Sequence, residues 1–133
     1  MEFLKLEKRK NIAFVSFIRN ESLNALNRDT LIELVKLNEK IKNDLKIKVI
    51  VYQSDGSHFS AGADIKEKQK KLTDLETWKT NLGKDAIESI LKLNQITIAS
   101  IKGFCLGGAA CIASACDFRV ASKSIKLAYP EID

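Results

Sequence analysis

Two short apolar runs rich in Val and Ile, Lys48 to Tyr52 and Ile96 to Ile101, have the length and composition of strands buried inside a sheet. Such strands need helices to cover them, and the flanking sequence has helical spacing. Leu31, Leu34, Val35, Asn38, Ile41 and Leu45 recur at three and four residues, with Asn27 placed to cap the first free amides. Between the two runs, Leu75, Trp78, Leu82, Ala86, Ile90 and Leu93 repeat the pattern. Upstream, Phe3 to Lys8 and Ile12 to Phe17 read as a hairpin around the polar break Arg9-Lys10-Asn11. Downstream, the small-residue segment Ala109 to Ala115 is apolar on every side, which predicts a short, fully buried helix. Asp117 to Ala121 and Ile125 to Tyr129 follow as strands. The expected order is ββαβαβαββ, an α/β class with helices between sheet strands and no internal repeat or linker.

A chain of 133 residues suits one domain, and 45% hydrophobic with 29% charged residues, one Pro and six Gly describes a soluble globular protein. The net charge of +5 favours anionic partners without naming one. Only 7% of residues are aromatic, mostly at core-like positions, so nucleic acid is not an expected partner. Cys105, Cys111 and Cys116 show no CxxC spacing and the single His58 lies far from them, which argues against a metal site; their odd number argues against a disulfide framework. The start MEFLKLEKRK alternates charge with apolar residues unlike a signal peptide, and no apolar run approaches the ~20 residues of a membrane span. The expectation is a cytoplasmic protein with no membrane partner.

Chemistry enters at two turns. Ser60-Ala61-Gly62-Ala63-Asp64 follows one buried strand and Leu106-Gly107-Gly108-Ala109 follows the other. Small residues leave backbone amides uncovered, and the second turn opens a helix, whose first amides lack partners and whose dipole favours negative charge. Two such sites can form an oxyanion hole; Gly107-Gly108 can equally serve close packing. The dinucleotide fingerprint and the phosphate loop are both absent, which argues against nucleotide hydrolysis.

Three ordered blocks carry a resemblance: Arg19-Asn20-Glu21-Ser22-Leu23-Asn24-Ala25-Leu26-Asn27, then His58-Phe59-Ser60-Ala61-Gly62-Ala63-Asp64-Ile65-Lys66, then Gly103-Phe104-Cys105-Leu106-Gly107-Gly108 with Ala115-Cys116-Asp117. Together they resemble the signature blocks of the enoyl-CoA hydratase/isomerase (crotonase) family, over nearly the whole chain. The resemblance implies a crotonase-like (ClpP/crotonase) α/β spiral of ββα units with two packed sheets. Residues 1–133 would form the N-terminal part of such a domain, incomplete at its C-terminus. It implies an acyl-CoA thioester as substrate, with no separate cofactor. By position, the amides of Ala63 and Gly108 would hold the thioester oxygen as it becomes an enolate, while Asn24, Ala25, Leu26, Ala61, Gly62, Asp64 and Ile65 would line the CoA arm. Lys66 would lie near the CoA phosphates, although it also reads as a solvated lysine beside Lys68, Lys70 and Lys71. Asp64 reads equally as a helix cap.

Two departures shape the expected activity. Family hydratases carry one glutamate three residues after the oxyanion glycine and another in a Pro-Glu pair; here the first position is Cys111 and the second is Glu131, after Pro130. Water addition needs a group to activate water and one to deliver a proton, whereas shifting a proton along an enolate needs a single base. Glu131 alone therefore resembles the one-base isomerases, or lyases that decarboxylate or dehydrate. A hydratase, and an inactive or truncated fragment that binds CoA or only assembles with a partner, are the alternatives. Cys111, among apolar neighbours, is not expected to replace the missing carboxylate. Cys105, Cys116 and Trp78 read as core residues, His58 as a packing or loop residue, and Asp117 as a structural acceptor. Ile96 stands where relatives often carry Pro. The second departure is length: family members continue past the Pro-Glu motif, so uncovered strand edges are expected to drive self-association, and relatives form trimers or hexamers.

Overall fold

The structure is a computed structural model and describes residues 1–64 and 82–128. The N-terminal hairpin pairs β1 (Leu4–Arg9) with β2 (Ile12–Phe17) antiparallel, Leu4 opposite Phe17 and Arg9 opposite Ile12. Every further pairing is parallel: β3 (Val49–Ser54) lies on β2, β4 (Ile96–Ile101) on β3, and β6 (Phe118–Ala121) on β4, giving the order β1-β2-β3-β4-β6. The two Val/Ile runs thus occupy central positions, as their composition requires. A second, two-stranded sheet pairs β5 (Phe104–Leu106) with β7 (Lys126–Ala128).

Helix α1 (Arg28–Lys42) starts where the sequence indicates: the Asn27 Oδ1 accepts from Thr30 N at 2.8 Å and from its hydroxyl at 2.6 Å. Leu31, Leu34, Leu37 and Ile41 are buried against the sheet. The stripe does not extend to Leu45, which is 80% exposed. Asp44 ends the helix by accepting Lys46 N at 3.1 Å, a local turn that puts Ile47 into the core instead. Helix α2 (Lys84–Leu91) buries Ala86 and Ile90; Leu75 and Trp78 of its expected stripe lie outside the described residues. Asn38 joins the two helices to the sheet, donating to Ser89 Oγ at 2.9 Å and accepting from the Tyr52 hydroxyl at 2.5 Å.

Two expectations need correction. The strand β5 was not in the expected order; it is only three residues long and sits between Gly103 (φ +59) and Gly107 (φ +54), too short to show a period. Helix α3 (Gly108–Ala115) buries Ala109, Ala110, Ile112 and Ala113 but exposes Cys111 and Ser114, so one of its faces is open. Strands β6 and β7 are exposed along their whole lengths, Phe118, Val120 and Leu127 included. Cys105 and Cys116 are buried, as expected. Asp117 is a structural acceptor: its carboxylate takes Thr97 N at 2.9 Å, and its own amide donates to the Thr97 hydroxyl at 2.9 Å.

Candidate active site

The segment from Phe59 to Asp64 is held on two edges. On one side, Phe59 N donates to Lys102 O at 2.8 Å, Ser60 N to Phe104 O at 3.0 Å, and Leu106 N to Ser60 O at 3.1 Å. On the other, Ala61 N donates to Leu23 O at 3.0 Å, Leu26 N to Gly62 O at 2.7 Å, and Asp64 N to Leu26 O at 3.1 Å. The blocks at 23–26, 58–64 and 103–108, far apart in sequence, are therefore one ribbon of backbone.

Glycine permits this approach. Gly62 has φ +90, and a Cβ there would stand 2.6 Å from the Leu106 carbonyl oxygen. Gly107, at φ +54 and ψ −120, turns the chain out of β5 and into α3, and donates its own amide to Ala128 O at 2.8 Å.

Within the five amides from Ser60 to Asp64, four are spoken for. Ser60, Ala61 and Asp64 donate as above, and Gly62 N donates to the buried Ser60 hydroxyl at 3.1 Å. The Leu26–Ala63 bridge is parallel and uses Gly62 O and Asp64 N, so the Ala63 N–H points away from Leu26 and donates to nothing among the described residues. Gly108 N is the first amide of α3 and has no partner among them either. Both positions border Leu26: Ala63 pairs with its backbone, and a Cβ on Gly108 would meet its Cδ1 at 3.6 Å.

The side chains expected around CoA mostly build this scaffold. Asn24 is 1% exposed, and its Nδ2 donates to Ser54 Oγ and His58 O at 2.9 Å each. Ala25 is half-buried with its carbonyl held by Arg19, and Leu26 is buried. Ala61 is half-buried and Gly62 buried. Asp64 is buried, and its Oδ2 lies 2.7 Å from Arg19 Nη1, so its carboxylate orients the loop. Ile65, Lys66 and Glu131 lie outside the described residues. His58 packs, as expected: its ring stacks on Phe104 at 4.4 Å, and Nδ1 accepts Phe104 N at 3.0 Å, which leaves the proton of the neutral ring on Nε2.

Burial pushes the Cys105 thiol up to about 12 and the Cys116 thiol up to about 11, which keeps both protonated at neutral pH. Cys111, one turn into α3, is exposed. No cluster of potential metal ligands occurs among the described residues. No helix among them is long and apolar enough to cross a membrane. Sequence reasoning missed Arg19 and Ser60 as the groups that hold the loop, although both stand inside the motif blocks; nothing in a motif says which polar residue pairs with which.

A family model described as enoyl-CoA hydratase/isomerase matches residues 7–133. The short-chain-enoyl-CoA hydratase of Clostridium acetobutylicum is 37% identical over 129 residues, covering 96% of this chain and 49% of that protein. The crotonyl-CoA hydratase of Syntrophomonas wolfei is 33% identical over 133 residues, covering 98% and 51% respectively. Among solved structures, an enoyl-CoA hydratase from Bacillus anthracis superimposes with a TM-score of 0.94 at 27% identity, over 98% of this chain and 52% of that one. An enoyl-CoA hydratase/carnithine racemase from Magnetospirillum magneticum gives 0.91 at 30% identity, over 98% and 50%. The chain spans about half the length of the curated relatives it matches and shares the fold of the corresponding part of those structures.

Proposed function

This chain belongs to the enoyl-CoA hydratase/isomerase family, and we propose that it supplies the thioester-binding part of an acyl-CoA enzyme, with the Ala63 and Gly108 amides as the oxyanion hole. One observation carries the reading: along Ser60–Asp64 every amide but that of Ala63 has a partner among the described residues, and the first amide of α3, which also borders Leu26, has none among them either. Donors already fixed in place and aimed where charge develops are the cheapest way to stabilise an enolate, and each is typically worth about 3 kcal/mol. The ligand is the CoA thioester itself, without a further cofactor; the CoA arm runs past Asn24–Leu26 and Ala61–Lys66, and the surplus of positive charge suits its phosphates.

The proton-transfer group is Glu131. With Cys111 in place of a second carboxylate, the chemistry is one-base isomerisation, or a lyase step through the same enolate. A hydratase is the second reading, favoured by the relatives, which are named hydratases. The exposed apolar residues of β6 and β7 support association with further copies. Three cysteines that form no disulfide with one another suit the cytoplasm.

The test is acetyl-CoA carrying 13C at the thioester carbonyl. Calorimetry should detect binding, and the carbonyl stretch should move to lower frequency in the complex. A bound thioester whose carbonyl stretch stays at its value in water refutes the oxyanion assignment.

A further inference from the structure

We propose that Arg19 is a positioning residue for this site: through the Asp64 carboxylate and the Ala25 carbonyl it sets the direction of the Ala63 amide. The proposal rests on the reading of that amide as a thioester-oxygen donor.

Arg19 Nη1 donates to Ala25 O at 3.0 Å and to Asp64 Oδ2 at 2.7 Å. Ala25 and Asp64 are the chain neighbours of Leu26 and Ala63, the pair whose bridge turns the Ala63 N–H outward. A single guanidinium nitrogen thus clamps both strands one residue from the amide in question. The side chains of Arg19 and Asp64 are only 18% and 9% exposed, so the bond acts in a poorly screened setting where charge-assisted hydrogen bonds are strongest.

The segment it clamps carries an intrinsically unfavourable backbone. Leu23 and Asn24 both adopt positive φ, at 54° and 55°, a conformation that non-glycine residues keep only when their surroundings impose it. Arg19 imposes it from two sides, its carbonyl accepting Asn24 N at 2.9 Å while its side chain holds Ala25 O. Releasing the side chain leaves only the backbone bonds Leu26 N to Gly62 O and Asp64 N to Leu26 O to set how the 23–26 strand is tilted against 62–64. A shift well under an ångström is enough to misdirect a hydrogen-bond donor.

The competing role for an arginine here is direct contact with the CoA phosphates, and the two roles separate experimentally. The probe is the same 13C-labelled acetyl-CoA, read by infrared difference spectroscopy and calorimetry, with circular dichroism to establish folding. For Arg19→Leu, CoA affinity should stay within about threefold of the parent while at least half of the carbonyl shift is lost. Arg19→Lys should restore most of the shift. Asp64→Asn, which keeps the shape of the side chain, should lose part of it and decides the matter if Arg19→Leu does not fold. Retention of the full shift in folded Asp64→Asn and Arg19→Leu overturns the proposal, as does a loss of CoA affinity beyond tenfold with the shift intact. Absence of any shift in the unmodified protein instead refutes the oxyanion reading on which the proposal stands.

Discussion

Gly62 and Leu106 meet backbone to backbone: a Cβ on Gly62 would lie 2.6 Å from the Leu106 carbonyl oxygen, and the glycine holds φ at +90. Both the space and the conformation exclude a side chain. Gly62→Ala should therefore destabilise the fold by about 2 kcal/mol or more, lowering the thermal midpoint by roughly 5 °C or more. Gly83 is the control, since a Cβ there meets nothing within 4 Å and its backbone is right-handed helical. Gly83→Ala should be neutral or stabilising by up to about 1 kcal/mol, and a larger loss from Gly83→Ala than from Gly62→Ala would contradict this account.

Glu131→Gln keeps the shape of the side chain and removes its basicity. If the proposed one-base chemistry holds, turnover of an enoyl-CoA should fall by about two to four powers of ten with little change in CoA binding. Cys111→Glu should introduce or raise crotonyl-CoA hydration, because it restores a second carboxylate in the exposed first turns of α3. Fast crotonyl-CoA hydration by the unmodified chain would decide for the hydratase reading against the one-base assignment.

The three thiols should separate by reactivity. Cys111 alone is exposed, so a disulfide reagent at pH 8 should label one thiol per native chain and all three in urea. Rising pH has a matching effect on stability. Cys105 and Cys116 hold their protons up to about 12 and about 11 when folded but ionise near 9.0 when unfolded, so above pH 9.0 the unfolded state releases protons that the folded state keeps. The stabilising contribution is complete below that value and drains away as pH climbs toward the folded values. Tyr52, whose hydroxyl burial also pushes up, adds the same sign above its ordinary 10.0. The urea midpoint should decline across this window, and less steeply in Cys105→Ala/Cys116→Ala. Equal slopes in the two proteins would remove the thiols from the explanation.

Phe118, Val120 and Leu127 are 60%, 61% and 52% exposed on β6 and β7, and this apolar display should drive self-association. Light scattering should give a mass well above 14.9 kDa, and replacing all three by Thr should shift it toward that value. A concentration-independent monomer in the parent protein is the contrary result.

Local chemistry determined much of this protein in advance. The Val/Ile runs could only be interior strands, Asn27 could only be useful as a cap, and the small residues at 60–64 and 106–109 marked where backbone would lie open. Each of those inferences needs a handful of neighbouring residues. The strand Phe104–Leu106 and the exposure of Cys111 were decided by tertiary structure, since each depends on what packs alongside rather than on a period. The same holds inside the site. Asp64 reads as a cap or a ligand contact until Arg19, 45 positions away, is folded against it. Motifs name residue types, but the pairing of a charge is settled by the partner that the fold brings within reach, because an ion leaves water only where another group replaces its solvation.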